Sequence, residues 1–85
     1  MKHSLIYTDR AVKDLRKLEG RIKKHLGKTL LRYSEDPFRH ASKLTDSRLG
    51  TYRFRIGEYR VIFDLKGNDI VVLRIGHRRD IYRKI

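Results

Sequence analysis

The sequence contains no cysteine, which excludes disulfide scaffolds, zinc ribbons and thiolate catalysis together. It also lacks a long apolar run. The longest, Ile70-Val71-Val72-Leu73, falls far short of the roughly 20 residues needed to span a bilayer, so no membrane association is expected. The opening Met1-Lys2-His3-Ser4-Leu5-Ile6-Tyr7 has no signal-peptide apolar core, and a cytoplasmic location is the expectation. Carboxylates are few and scattered. Asp64, Asp69 and Asp80 stand singly, and the histidines lie far apart at positions 3, 25, 40 and 77. Those spacings offer no metal-ligand set, and neither a metal nor another cofactor is expected. Proline occurs once and apolar residues make up 39%, which argues against disorder despite the charge.

What is abundant is positive charge. The 85 residues hold 22 Lys plus Arg against 10 Asp plus Glu, a formal net charge of +12 at pH 7. A chain of this length builds one core and buries only about 60–65% of the surface it exposes unfolded. Residues 1–85 are therefore read as a single domain. The surplus excludes an acidic partner-mimic and points to a polyanion: RNA, DNA, an anionic membrane or an acidic protein.

The hydrophobic period changes once, near the middle. Residues 3–7 read as a short strand ending at Thr8-Asp9, a helix N-cap signal. Ala11, Val12, Leu15 and Leu18 then recur at helical spacing until Glu19-Gly20 interrupts. A second stripe runs through Ile22, Leu26, Thr29, Leu30 and Tyr33 and stops before Asp36-Pro37. The two amphipathic helices are read as an antiparallel pair whose Lys and Arg residues form solvated outer faces. Residues 38–50 read as a loop. Beyond them the period drops to two: Tyr52 to Ile56, a Gly57-Glu58 turn, Tyr59 to Leu65, a turn at Lys66-Gly67-Asn68-Asp69, and Ile70 to Ile75. A basic tail, residues 76–83, follows. The order βααβββ defines an α+β fold with two helices on one face of a mostly antiparallel four-stranded sheet.

With Gly57-Glu58 as the turn, Ile56 faces Tyr59, Arg55 faces Arg60, Phe54 faces Val61, Arg53 faces Ile62 and Tyr52 faces Phe63. The apolar set Tyr52, Phe54, Ile56, Tyr59, Val61 and Phe63 then shares the face that packs on the helices. Arg53, Arg55 and Arg60 gather on the other face. Directly opposed like charges are destabilising by a few tenths to about 1 kcal/mol per pair, so stability alone would not select them. Arginine's planar fork binds phosphate oxygens bidentately, which favours a phosphate-holding face. Pairing Leu65 with Ile70 sets Arg60 opposite Ile75 and brings His77 and Arg78 just past the Arg55–Arg60 end. The same register puts Arg74 on the apolar face beside Val61, which calls for a bulge or an edge exit there. Histidine titrates near neutrality and Tyr82 offers a phenol, so a proton donor and acceptor can flank the cluster.

The segments Tyr52 to Phe63 and Val72 to Tyr82, ending Gly76-His77-Arg78-Arg79-Asp80-Ile81-Tyr82, resemble the RelE/ParE superfamily of bacterial and archaeal toxins. The Tyr7–Leu18 opening and the Asp36-Pro37 to Lys43-Leu44 loop are also similar, so the likeness spans nearly the whole chain, and it is nearest the RelE branch. The resemblance implies a toxin that cleaves mRNA in the ribosomal A site, contacts rRNA through its basic helices, and is silenced by a cognate acidic antitoxin. It implies attack by a ribose 2′-hydroxyl on the adjacent phosphate without a metal, leaving a 2′,3′-cyclic phosphate and a 5′-hydroxyl. Arg53, Arg55 and Arg60 would stabilise the phosphorane charge, Arg78 would contact the scissile phosphate or leaving oxygen, and Tyr82 would stack on or orient the nucleotide. RelE carries lysines at the positions matching Arg53 and Arg55. Arginine is a poor general base, so the proton-transfer role passes to His77 or Tyr82. Two other functions stay open: a ParE-like inhibitor of DNA gyrase without nuclease activity, and a basic RNA- or ribosome-binding module.

Overall fold

The computed structural model describes residues 3–46 and 48–83; Met1, Lys2, Ser47, Lys84 and Ile85 lie outside them. The chain forms β1 (Ser4–Tyr7), α1 (Asp9–Arg16), α2 (Gly20–Tyr33), α3 (Pro37–His40), β2 (Ala41–Lys43), β3 (Tyr52–Ile56), β4 (Tyr59–Lys66) and β5 (Asp69–His77). One sheet runs in the order β1-β5-β4-β3-β2. Only the β1–β5 pair is parallel; the others are antiparallel. The α+β arrangement matches the expectation, with one strand added.

That strand is β2, in the stretch read as a loop. Ala41 pairs with Phe54 and Lys43 with Tyr52, and the single turn α3 precedes it with Pro37 in its first turn. Three residues cannot display a period of two. The strand exists because the outer edge of β3 has unpaired N–H and C=O groups to satisfy. Two helices and the alternating strands share the core that the periodicity indicates. Ala11, Leu26 and Leu30 are buried against Phe54, Ile56, Val61, Phe63, Ile70, Val72 and Ile75. Phe54 and Phe63 stack with centroids 4.3 Å apart, each ring fully buried and stabilising the fold by roughly 1.5–3 kcal/mol. Thr8 caps α1, its hydroxyl accepting from the Ala11 N–H at 3.2 Å and donating to the Val72 carbonyl at 2.9 Å.

The β3–β4 register is the one read from the sequence, rung for rung. Gly57 has φ +58° while Glu58, like every described non-glycine residue, does not have positive φ. That is the type II′ pattern, which a glycine in first place makes unstrained. In β4–β5 the pairing starts as expected at Leu65–Ile70, then shifts between Ile62 and Phe63. Leu73 is the extra residue, and the shift sets Arg60 opposite Gly76 instead of Ile75. It also moves Arg74 from beside Val61 to a position opposite Ile62. A guanidinium on the apolar face would lose its water without a partner; the bulge lets it reach Asp14 of α1, Nε to Oδ2 at 2.9 Å. The same Asp14 oxygen accepts the Ile75 N–H at 2.9 Å. That N–H is on the edge of β5 beyond the last β1 rung, Tyr7–Val72.

Among the described residues no helix is long and apolar enough to cross a membrane.

Candidate active site on the arginine face

The sheet face turned away from the core cluster carries Arg53, Arg55 and Arg60 through strand alternation, with Arg55 directly opposite Arg60. Half of this face is roofed. Gly50 sits so close that a Cβ there would lie 2.8 Å from Ile62 and 2.9 Å from Leu73. Beside it, the Thr51 N–H donates to Asp64 Oδ1 at 2.8 Å. In the same loop Arg48 grips both carboxylate oxygens of Asp46, at 3.0 and 2.9 Å, and holds that carboxyl below the usual carboxylate range. The loop buries Ile62 completely and leaves the end near the Gly57 turn open. Ser42 of β2 stands opposite Arg53 and so joins the arginine side. Sequence reading missed it because the strand that positions it has no periodic signal.

Beyond β5 the tail folds back in turns, with the Asp80 and Ile81 N–H groups both donating to the His77 carbonyl at 2.9 and 3.0 Å. Ile81 is buried and packs on Gly76, where an added Cβ would already meet it at 3.5 Å. This fold-back carries Tyr82 to Arg53. The Arg53 Nη1 donates to Tyr82 Oη at 2.8 Å, and the guanidinium lies 5.9 Å from the ring centroid. Arg53 Nε is buried without a partner. A buried charged donor left unpaired costs free energy, so Arg53 is held there at the expense of stability.

The remaining candidates are placed one by one. Arg60 bends over the hairpin, Nη1 donating to the carbonyls of Gly57 at 3.0 Å and Tyr59 at 2.9 Å. Arg55 is exposed. The Arg78 N–H donates to the Glu58 carbonyl at 2.8 Å, one rung past the Tyr59–His77 pair, which puts Arg78 on the arginine side. Its Nε forms an ion pair with Glu58 Oε2 at 2.7 Å. His77 reaches the expected end of the sheet, but its rung places it beside Tyr59 on the helix-facing side, rings edge to face at 5.5 Å. Its Nδ1 accepts the Arg79 N–H at 3.2 Å, so Nε2 is the nitrogen left to exchange a proton; it lies 3.9 Å from the same Glu58 oxygen. The structure thus brings Arg53, Arg55, Arg60, Arg78 and Tyr82 to one side and leaves His77 around the end. Glu58 was read only as a turn residue. The available signal was a lone carboxylate in a turn between two arginine-bearing strands.

Four guanidinium groups and a phenol around an open sheet end can hold a phosphodiester and spread the charge of a pentacoordinate phosphorus. The fold is that of RelE-type toxins. The chain matches the structure of the RelBE2 toxin–antitoxin complex from Mycobacterium tuberculosis with a TM-score of 0.83 and 28% identity, covering 92% of this chain and 100% of that one. A mutant of Escherichia coli RelE in the free state shares the fold, with a TM-score of 0.77 at 24% identity over 99% of this chain and 94% of that one.

Residues 5–82 match the family described as the ParE toxin of type II toxin-antitoxin system, parDE. The chain belongs to this family, within the RelE/ParE superfamily, and is a toxin of the type II toxin–antitoxin class. Its relatives include Toxin RelG of Mycobacterium tuberculosis (strain ATCC 25618 / H37Rv), 33% identical over 99% of this chain and 100% of that protein. Toxin RelE3 of Methanocaldococcus jannaschii is 28% identical over 92% of this chain and 93% of that protein.

Proposed function

We propose that the chain is a ribosome-dependent endoribonuclease that cleaves mRNA in the A site, and that a cognate antitoxin silences it. The observation that carries this reading is the contact between Arg53 and Tyr82. It closes the tail onto the hairpin and joins residues 29 positions apart on the arginine face. The Rel names of both relatives and the toxin–antitoxin complex at 28% identity support it.

In this reaction the ribose 2′-oxygen loses its proton and attacks the adjacent phosphorus. The bond to the 5′-oxygen breaks, that oxygen takes up a proton, and a 2′,3′-cyclic phosphate remains. Arg53, Arg55 and Arg60 face the equatorial oxygens, and Arg78 faces the scissile phosphate or the leaving oxygen. Loss of one such donor slows the chemistry by about 10²–10³. Proton transfer falls to Tyr82 or His77. Tyr82 is on the arginine side, and His77 reaches it from the end through Nε2. His77→Gln separates the two: unchanged single-turnover cleavage assigns the task to Tyr82, whereas a loss of about 10² or more keeps His77 in it. The toxin would act in the cytoplasm, with its basic helices on rRNA.

A second reading has its own support. The matched family carries the ParE name, and a ParE-like chain would inhibit gyrase and cut nothing. Primer extension on mRNA from cells expressing the chain decides. Codon-positioned breaks support the nuclease, and intact mRNA with gyrase-linked DNA breaks supports the ParE-like function. Intact RNA and DNA would leave a basic RNA- or ribosome-binding module.

A further inference from the structure

Glu58 is a carboxylate at the open end of the sheet with two basic side chains beside it. Its Oε2 lies 2.7 Å from Arg78 Nε and 3.9 Å from His77 Nε2, so a single anionic oxygen stands between a guanidinium and an imidazole. Its own main chain accepts the Arg78 N–H, which keeps this side chain beside Arg78 without any other partner holding it there. The carboxylate is 60% exposed and Arg78 is 52% exposed. A pair this open in water is weak, on the order of a surface salt bridge, and a better anion can displace it. Arg60, the other guanidinium near the turn, is tied to backbone carbonyls and does not compete for the carboxylate.

We infer that Oε2 of Glu58 marks an anion subsite between Arg78 and His77, and that in the free toxin Glu58 fills it in place of an RNA phosphate. The inference rests on the nuclease reading and adds to it an internal competitor. RNA must push Glu58 off Arg78 before Arg78 can take a phosphate oxygen. Glu58 therefore lowers the affinity of the free protein for RNA, and its removal tightens binding. A carboxylate that merely held the tail in place would have the opposite effect.

The test is anisotropy of a labelled, 2′-O-methylated single-stranded RNA of about ten nucleotides, which binds but offers no 2′-hydroxyl for cleavage. Glu58→Gln is expected to bind about threefold to fivefold more tightly than wild type. One more phosphate contact should also steepen the dependence of log K on log salt by about 0.7. Glu58→Asp, which keeps the charge, should stay near wild type and controls for damage to the turn. In an Arg78→Ala background the gain from Glu58→Gln should disappear. Equal or weaker binding by a folded Glu58→Gln, or a gain that survives Arg78→Ala, overturns the proposal while leaving the nuclease reading intact. Absence of RNA binding by the wild type also overturns the subsite, whereas the ribosome-dependent nuclease reading is decided separately by primer extension on mRNA.

Discussion

Arg53 is the residue in which charge, burial and contact converge. It is half-buried, it spends one donor on the Tyr82 hydroxyl, and its Nε has no partner. Removing the phenolic oxygen by Tyr82→Phe would strand a second donor of the same guanidinium, a loss of about 1–2 kcal/mol in unfolding free energy. If Tyr82 moves the proton, single-turnover cleavage falls by about 10² or more in the same variant. A melt and a rate measured together separate the two effects. Tyr7 shows a different residue-scale property. Burial holds its phenol above the ordinary value of 10.0, so the fold favours the neutral form. The resulting stability is complete below the unfolded value and is lost as the pH climbs past 10 through the folded one. Thermal melts across that range should fall more steeply for wild type than for Tyr7→Phe.

At the scale of elements, the informative events occur where regular structure stops. The bulge at Leu73 changes which face and which partner the end of β5 has. Asp14 of α1 accepts both the Arg74 guanidinium and the Ile75 N–H there, with only 11% of its side chain exposed. Asp14→Ala leaves a partly buried cation and an edge N–H unpaired, and should destabilise by about 2–4 kcal/mol in denaturant unfolding. Asp14→Asn should recover part of that loss by still accepting the N–H. The roof over the arginine face depends on a close approach. Gly50→Ala would drive a methyl to within 2.8 Å of Ile62 and should cost about 1–3 kcal/mol by overpacking. The loop and the site share this wall, so cleavage should fall along with stability.

For the whole molecule, the +12 charge makes any nucleic-acid complex strongly salt-dependent, and makes an acidic partner the natural antagonist. Expression of the chain alone should arrest growth, and co-expression of its acidic antitoxin should relieve it. Robust growth on strong solo expression would count against an active toxin. The helical lysines and arginines contribute to the net charge and to encounter rates. The proposed chemistry would rest on the few arginines that the sheet and tail bring together.

Local features decided much of this before any tertiary contact formed. Gly57 selects a two-residue turn, period-two alternation follows from that turn, and Arg53, Arg55 and Arg60 were therefore legible as one face. Thr8 as a cap and the two helical stripes were legible for the same reason, because each signal lies within a few residues of chain. What lay beyond the sequence involves partners far apart. Strand β2 exists only through its pairing with β3. The bulge accompanies an ion pair between residues 60 positions apart. The contact of Tyr82 with Arg53 requires the tail to bury Ile81 against Gly76. The side taken by His77 follows from the rung it occupies after the bulge, and the closeness of Glu58 to Arg78 from the rung after that. Such choices are settled by burial and by the need to pair desolvated polar groups. Neither carries a period that a sequence can display.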